Sequence, residues 1–169
     1  MDKVHPVAAG DVQDQVAVGN APSPALSDAP ALLRFRTDTP DDGPIAPLAD
    51  FLAGGNFAAV RVEPGEDVRL LMPHLGRLKL IEVAFPKYRD GRGYSSARIL
   101  REAGFAGEIR AAGDVLVDQI EFMRRVGFDS FVPDKPLNPA VVQATLDRYR
   151  FVYMKAADGK SPIWALRHA

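Results

Sequence analysis

The strongest secondary-structure signal in the chain lies at residues 78–85, which read Leu78-Lys79-Leu80-Ile81-Glu82-Val83-Ala84-Phe85. The stretch is dense in branched apolar residues, which favour a β-strand. A glycine-containing loop follows it, and apolar residues at helical spacing then predict a helix from Tyr94 to Ala103 that ends at Gly104. A strand, a loop and a helix in this order indicate one unit of an α/β fold.

The same alternation continues in both directions along the chain. Further strands are predicted at Phe57–Val62, Gly107–Ala112, Asp129–Val132 and Arg150–Met154, and further helices at Glu66–Leu75, Leu116–Val126 and Pro139–Tyr149. Strands and helices that alternate at spacings of about 20 residues imply parallel strands joined by right-handed crossovers. We therefore predict an α/β fold of about five mainly parallel strands, either an open, doubly wound sheet or part of a β/α barrel.

The first 45 residues have a different composition. Residues 1–60 carry three basic and eight acidic side chains, and seven of the fourteen prolines fall before residue 50. Because proline lacks an amide hydrogen and restricts the residue before it, long regular elements are excluded there, although short strands are possible at Gln15–Val18 and Leu32–Arg36. We predict an irregular, proline-rich arm at 1–45, the α/β domain at 46–156 and a tail at 157–169.

Composition excludes several classes of function. The chain has 169 residues, a formal net charge of −1 and no cysteine. The near-zero charge argues against a nucleic-acid binder, and the missing thiols exclude thiolate ligation of zinc or of an iron–sulfur cluster. The three histidines do not cluster, so no metal site is expected. With neither a membrane span nor a secretory signal in the sequence, we expect a cytoplasmic protein without a membrane partner.

Ligands of parallel α/β folds bind at the carboxyl ends of the strands, where the loops vary freely. Four residues follow predicted strands and should meet at that edge of the sheet: Glu63, Lys87, Asp114 and Asp134. The loop after the strongest strand has the most candidate functional groups, because it carries the cations Lys87, Arg89 and Arg92 together with Gly91 and Gly93.

That loop suits an oxyanion. Gly91 and Gly93 are expected to adopt backbone conformations closed to other residues and to turn amides toward a ligand, while the following helix offers free N–H groups. The predicted anion-binding residues are Lys87, Arg92, Gly93, Tyr94, Ser95 and Arg110, with Asp90, Asp118 and Gln119 in support. The alternative is a solvated loop whose glycines only make the turn and whose arginines pair with Asp90 and Glu102.

Two further residues have a structural and a functional interpretation each. Asp114 is a candidate acid or base facing the same cleft as Lys87, but aspartate at the start of a helix also caps free N–H groups. Trp164 is most simply a C-terminal anchor packed on the domain, and the alternative is a partner-binding tail.

Two long motifs resemble those of a bacterial family of proteins of unknown function, DUF934, whose members are labelled as oxidoreductases of sulfite reduction. The likeness covers about residues 45–155 and includes all the predicted site residues from Lys87 to Gln119. The first motif is Phe85-Pro86-Lys87-Tyr88-Arg89-Asp90-Gly91-Arg92-Gly93-Tyr94-Ser95-Ser96-Ala97-Arg98-Ile99-Leu100-Arg101, and the second begins Gly107-Glu108-Ile109-Arg110-Ala111-Ala112-Gly113-Asp114 and runs on through Gln119.

The resemblance implies a role in sulfite or sulfate assimilation, with no established catalytic residue or cofactor to carry over. Reducing sulfite to sulfide moves six electrons and needs a metal or flavin centre, which a chain without cysteine cannot supply through an iron–sulfur cluster. We therefore expect no haem, iron–sulfur cluster or zinc, and leave flavin open. The interpretation is an accessory, anion-binding protein; the alternatives are a small independent enzyme and a scaffold that docks a sulfite reductase through the arm and Trp164.

Overall fold

The computed structural model describes residues 32–36 and 43–168. Six strands alternate with helices along this part of the chain. The strands are β1 (Leu33–Arg34), β2 (Ile45–Pro47), β3 (Ala59–Val62), β4 (Leu80–Phe85), β5 (Glu108–Gly113) and β6 (Ser130–Pro133). The α-helices are α1 (Leu48–Leu52), α2 (Arg92–Glu102), α3 (Ile120–Val126) and α4 (Pro139–Arg148), and 3₁₀ segments lie at Val68–Arg77, Val117–Gln119 and Ala165–His168.

The six strands form one open sheet in the order β1-β6-β5-β4-β3-β2. Strands β2 to β6 are parallel, and each pairs with the next one along the chain; β1 is antiparallel and lies beside β6. The predicted α/β fold with mainly parallel strands is confirmed. Since the strand order never reverses, right-handed crossovers place every helix on the same face of the sheet, so the sheet is wound on one side as in a partial barrel.

The hydrophobic core lies on this helical face. Every second residue of the central strands points into it, and all four α-helices and the 3₁₀ segment Val68–Arg77 add buried apolar side chains. The strand residues of the core are Val60, Val62, Ile81, Val83, Phe85, Ile109, Ala111 and Phe131. The alternation of side chains along each strand therefore separates an apolar face from its opposite.

The opposite face carries a charged row that crosses the sheet. Arg61 on β3 is in register with Glu82 on β4. Glu82 is in register with Arg110 on β5, and Arg110 with Ser130 on β6. Glu82, Arg110 and Ser130 are buried, as is Glu108 one pleat earlier on β5. Oppositely charged neighbours on adjacent strands stabilise one another, so this side of the sheet is held by polar contacts.

At the amino ends of the strands, Arg101 of α2 ties several chain segments together. Its guanidinium donates to the carbonyl oxygens of Phe105, Gly107 and Gly127 at 2.6 to 3.0 Å and to the carboxylate of Asp129. The same carboxylate accepts the backbone N–H of Ile109 at 2.9 Å. This arrangement joins the end of α3 to the starts of β5 and β6.

Two predicted elements are wrong. The helix expected at Glu66–Leu75 is instead the 3₁₀ segment Val68–Arg77, because Pro73 inside it has no amide hydrogen and would clash with an α-helical carbonyl four residues earlier. The strand expected at Arg150–Met154 makes only an isolated bridge from Val152 to Pro162. The sheet edge beside β6 that it would occupy is taken by β1.

The two strands predicted in the arm have different outcomes. The short strand expected at Leu32–Arg36 is present as β1, and the one at Gln15–Val18 lies outside the described residues. Strand β2 was not predicted: it is three residues long and contains Pro47, which a sheet tolerates only at an edge, where β2 lies.

Candidate functional site

The carboxyl ends of the parallel strands meet at one edge of the sheet. Strands β3, β4, β5 and β6 end at residues 62, 85, 113 and 133 and are paired in parallel register. Glu63, Lys87, Asp114 and Asp134, which follow these strands, therefore share one edge, as the sequence predicts. Gly113 lets the end of β5 lie close to the end of β4. Its φ is +118°, and a Cβ there would lie 2.3 Å from the Phe85 carbonyl oxygen.

An open groove of about 750 Å³ lies at this edge, between the loops that follow β3 and β4. It brings together three of the predicted site residues, Lys87, Asp90 and Arg92, and adds Arg89 of the same loop and Glu63, which follows β3. The groove is lined by Glu63, Pro64, Pro86, Lys87, Arg89, Asp90, Gly91 and Arg92. The anion-binding loop of the sequence analysis thus forms one wall of a concave surface.

Arg92 and Asp90 form a bidentate ion pair in this wall. The Arg92 Nη2 and Nε donate to the two carboxylate oxygens of Asp90 at 2.6 and 2.9 Å. The hydrogen bonds from Arg92 lower the pKa of Asp90 to about 2, and the carboxylate raises the pKa of the guanidinium. The arginine is therefore not free to bind a ligand without sharing its donors with Asp90.

Asp90 also occupies the start of helix α2. Its Oδ1 accepts the backbone N–H of Arg92 at 3.2 Å, and the N–H of Tyr94 donates to the carbonyl oxygen of Gly91 at 3.2 Å. A carboxylate of the chain thus stands where an external anion would benefit from the helix dipole. A ligand at this position competes with Asp90.

The remaining cations of the groove are differently placed. Lys87 makes no hydrogen bond or ion pair with any residue in the described part of the chain, and it is exposed. Arg89 donates from Nε to the Tyr88 hydroxyl at 2.7 Å, and its guanidinium lies 5.2 Å from the centre of the Tyr88 ring. The contact with tyrosine orients the arginine without neutralising it.

The second carboxylate of the groove is balanced by an arginine from the polar face of the sheet. Glu63 accepts a hydrogen bond from Arg61 at 2.6 Å, and Arg61 reaches Glu82 at 2.8 Å. Each of the two groove carboxylates therefore has its own arginine partner. Lys87 and Arg89 form no ion pair within the described residues, and the charged side chains that line the groove, three cationic and two anionic, give it a positive balance.

The conformational role predicted for the two loop glycines is wrong. Gly91 has φ −73° and ψ −7°, and Gly93 lies within helix α2, so both adopt backbone conformations open to any residue. Gly93 is required for another reason: a Cβ there would lie 2.4 Å from the buried ring of Phe85. Its glycine lets the helix approach the sheet.

The side chains of Asp114 and Gln119 stabilise the loop by binding the backbone of Tyr88. The carboxylate of Asp114 accepts the backbone N–H of Tyr88 at 3.1 Å, and the side-chain amide of Gln119 donates to the Tyr88 carbonyl oxygen at 2.9 Å. The two side chains bind the backbone N–H and C=O of the same residue, Tyr88, and neither lines the groove. The Gln119 oxygen also accepts the N–H of Leu116 at 3.2 Å.

The other residues of the predicted site lie on helix α2 or beside it. Tyr94 packs edge-on against Phe85, with ring centres 6.0 Å apart. Burial raises the pKa of the Tyr94 hydroxyl, and the nearby charge of Asp118 raises it further. Ser95 is exposed on α2. These residues support the loop from the helix side, and none of them lines the groove.

Arg110 does not join the loop. It is buried in the charged row on the polar face, where it donates to Glu108 at 3.0 Å and to the Ser130 hydroxyl at 3.4 Å. The sequence analysis did not identify Glu82, Glu108 or Ser130 as its partners. The available signal was the presence of charged residues at alternate positions inside strands that are otherwise apolar.

The described residues contain neither a cluster suited to a metal ion nor a helix suited to a membrane span. No group of three or more histidine, aspartate or glutamate side chains within residues 32–36 and 43–168 lies close enough to hold a metal ion. No helix in that part of the chain has the length and the hydropathy needed to cross a bilayer.

Comparison with known proteins gives one match. The model of a family described as a bacterial protein of unknown function, DUF934, matches residues 59–164. The match begins with β3, includes the groove and both long motifs, and extends to Trp164. No curated protein and no solved structure matches the chain.

Proposed function

This chain belongs to the bacterial DUF934 family, and from this premise we propose that it is an accessory protein of sulfite or sulfate reduction that binds a small oxyanion in the groove. The link to sulfur metabolism comes from the labels of the family members that its motifs resemble. The observation that carries the anion site is Lys87, an exposed cation without a described partner in a groove whose carboxylates are both paired with arginines.

The charge distribution supports an anion rather than a cation or a neutral ligand. A sulfate or sulfite ion at Lys87 would also face the Arg89 guanidinium, which the Tyr88 hydroxyl already orients. Exposed charge pairs are screened by water and salt, so each contact contributes only modestly. We therefore expect dissociation constants in the high micromolar to millimolar range, about 4 to 6 kcal/mol of binding free energy.

The contacts of Asp114 favour the accessory role over the alternative of a small independent enzyme. A general acid or base must reach the proton that it transfers. Asp114 instead receives the N–H of Tyr88 and lies outside the groove lining. The groove offers cations that grip an oxyanion, and the cysteine-free chain offers no thiolate for the electron transfer of sulfite reduction.

Calorimetric titration with sulfate, sulfite and phosphate tests the proposal, with sodium chloride at matched ionic strength as the control ligand. Loss of a charge-assisted contact costs about 1.5–3 kcal/mol, and solvent exposure places this site at the lower end of that range. Lys87→Ala should therefore weaken oxyanion binding about tenfold. Arg98→Ala, which removes an exposed cation of α2 paired with Glu102, should leave the affinity unchanged.

Asp90→Asn should change the oxyanion affinity in the opposite direction. Asparagine can still accept the backbone N–H of Arg92, but it removes the negative charge and the ion pair with the Arg92 guanidinium, so the variant should bind oxyanions about threefold more tightly than the natural chain. Equal affinities for the natural chain, Lys87→Ala and Asp90→Asn would show that the oxyanion does not bind in this groove. A thermal-shift screen with flavin and nicotinamide nucleotides tests the enzyme alternative, because a ligand at a hundred times its dissociation constant adds about 2.7 kcal/mol of stability.

A further inference from the structure

The segment after α4, residues 149–166, exposes an unusual set of large side chains. Tyr153, Met154 and Trp164 are 77%, 73% and 53% exposed. Tyr149 and Phe151 from the same segment and Phe122 from α3 are also exposed. We call these six residues the aromatic patch: Phe122, Tyr149, Phe151, Tyr153, Met154 and Trp164. Contiguous exposed apolar surface on a folded domain marks an interaction site more often than scattered single residues do.

The segment that carries the patch is pinned to the domain. Arg125 of α3 pairs with Asp158 at 3.1 Å and donates to the Met154 carbonyl oxygen at 2.8 Å. Lys160 pairs at 2.7 Å with Glu121, whose carboxylate is buried. Two ion pairs with buried acidic partners thus hold a segment without regular structure in one position. The exposure of its aromatic rings is a feature of the folded domain.

Three of the aromatic side chains, those of Phe122, Tyr149 and Trp164, are held by contacts with the domain. The Tyr149 and Phe122 rings pack with their centres 5.7 Å apart. The Trp164 indole N–H donates to the Tyr153 carbonyl oxygen at 2.9 Å, and Val152 between the exposed residues is buried. Rings that are already oriented lose little conformational entropy when a partner covers them. The patch is therefore preorganised for contact.

The exposed charges around the patch are mainly cationic, with Asp147 as one exposed carboxylate beside three basic side chains. Arg148, Arg150 and Lys155 are exposed and form no ion pair within the described residues. Arg150 lies over the Phe151 ring at 5.5 Å. The nearby carboxylates of Glu121 and Asp158 are already paired with Lys160 and Arg125. The patch thus has an apolar centre and a basic rim.

From these features we propose that the aromatic patch is a docking site for an acidic protein surface that presents apolar side chains. Tyrosine, tryptophan, phenylalanine, methionine and arginine are the residues in which interface centres are enriched, and a basic rim selects an acidic partner. A second copy of this chain would place cations against cations. The formal charge of −1 favours neither nucleic acid nor an anionic membrane. The patch shares no residue with the groove, so this proposal is independent of the proposed function.

The chain contains a single tryptophan, and it lies in the patch. Its fluorescence therefore reports binding directly. The probe is an acidic helical peptide with leucine and phenylalanine on one face and glutamate on the other; the control peptide has lysine in place of every glutamate. We expect a saturable blue shift with the acidic peptide, which weakens as salt is raised, and at least tenfold weaker binding of the lysine peptide.

Two variants and two matched controls locate the site. Tyr153→Ser and Arg150→Glu should each weaken binding of the acidic peptide at least fivefold. Leu70→Ser and Lys79→Glu, which change an exposed leucine and an exposed lysine elsewhere, should not. Unfolding midpoints are recorded for every variant. If Tyr153→Ser fails to fold, Met154→Ser replaces it, because that side chain is almost as exposed.

Four results would overturn the proposal. They are no response to the acidic peptide, equal binding of the lysine peptide, preferential binding to phosphatidylglycerol vesicles or to an oligo-dT strand, and a concentration-dependent dimer in sedimentation that Tyr153→Ser abolishes. The third result would assign the patch to a membrane or to nucleic acid, and the fourth to a second copy of the chain. None of these results bears on oxyanion binding in the groove.

Discussion

Gly93 is the residue at which helix α2 comes closest to the sheet. Its missing side chain leaves space for the ring of Phe85, which also packs edge-on against Tyr94 and Phe128. Because Tyr94 and Phe128 pack against the ring, it cannot easily shift to make room for a side chain at residue 93. The glycine-rich loop that suggested ligand binding in the sequence therefore serves packing at this position.

We predict that Gly93→Ala destabilises the protein. The added methyl group overpacks the site, which costs about 1–3 kcal/mol, against a gain of up to about 1 kcal/mol in helix propensity. The net loss of about 1–2 kcal/mol should appear as a lower midpoint in urea unfolding. Gly91→Ala, two residues earlier, places its methyl group in open space and should change stability by less than about 0.5 kcal/mol. A Gly93→Ala variant as stable as the natural chain would contradict the packing argument.

The ion pair of Asp90 with Arg92 makes a prediction about protonation. Carbon NMR of the carboxyl group should give Asp90 a pKa of about 2, and Arg92→Ala should raise it toward the value of an isolated aspartate, with the backbone N–H of residue 92 still lowering it. Because the pKa is lowered by folding, the stabilisation from this pair is present above the unfolded value and is lost as the pH falls toward 2. Anion binding should therefore be insensitive to Asp90 protonation between pH 5 and 8. An Asp90 pKa of about 4 in the natural chain would show that the pair does not form.

At the scale of elements, Arg101 shows how one side chain joins several. It is mostly buried and satisfies carbonyl groups at the end of α3 and at the start of β5. The sequence gives no sign of this role, because an arginine in the last turn of a helix is ordinarily read as a favourable charge for the helix dipole. Its partners lie up to 28 residues away, and only the folded chain brings them together.

We predict that Arg101→Met lowers the free energy of unfolding by about 2–3 kcal/mol. The carboxylate of Asp129 loses its closest cation and keeps the N–H of Ile109 and the more distant Arg36, and the carbonyl oxygens of Phe105 and Gly127 lose their side-chain donor. Arg98→Met removes an arginine one turn earlier on the same helix. Its partner Glu102 is exposed, so that variant should lose less than about 0.5 kcal/mol. Denaturant titration of both proteins makes the comparison, and similar losses in the two would refute the special role of Arg101.

The elements that the sequence predicted well are those with strong local signals. Strands β3 to β6 and helices α2, α3 and α4 follow from apolar periodicity, and the Asn138 side chain caps α4 by accepting the N–H of Ala140. The error at residues 150–154 comes from competition between segments. The stretch at residues 150–154 has the pattern of a strand, but its place in the sheet belongs to β1, a partner from the other end of the chain.

At the scale of the whole molecule, the two faces of the sheet obey different rules. The helical face follows hydrophobic periodicity and was predictable. The polar face depends on the register of neighbouring strands, which places Arg61, Glu82 and Arg110 side by side. Register is a tertiary property, so the sequence shows charged residues at alternate strand positions but not which of them become neighbours, and Arg110 was assigned to the loop. The groove was predicted in outline because the carboxyl ends of parallel strands must meet.

The strand order has a consequence for how the chain assembles in time. Strands β2 to β6 each pair with a neighbour about 15 to 30 residues away, whereas β1 pairs with β6 across about 100 residues. Short loops close faster than long ones, so the parallel ladder should form in the transition state and β1 should dock afterwards. Leu33→Ala in β1 should then speed unfolding and leave the folding rate nearly unchanged, while Ile81→Val in β4 should slow folding. Stopped-flow refolding and unfolding of both variants measures this, and a slowed folding limb for Leu33→Ala would place the longest-range contact of the sheet at the start of folding instead.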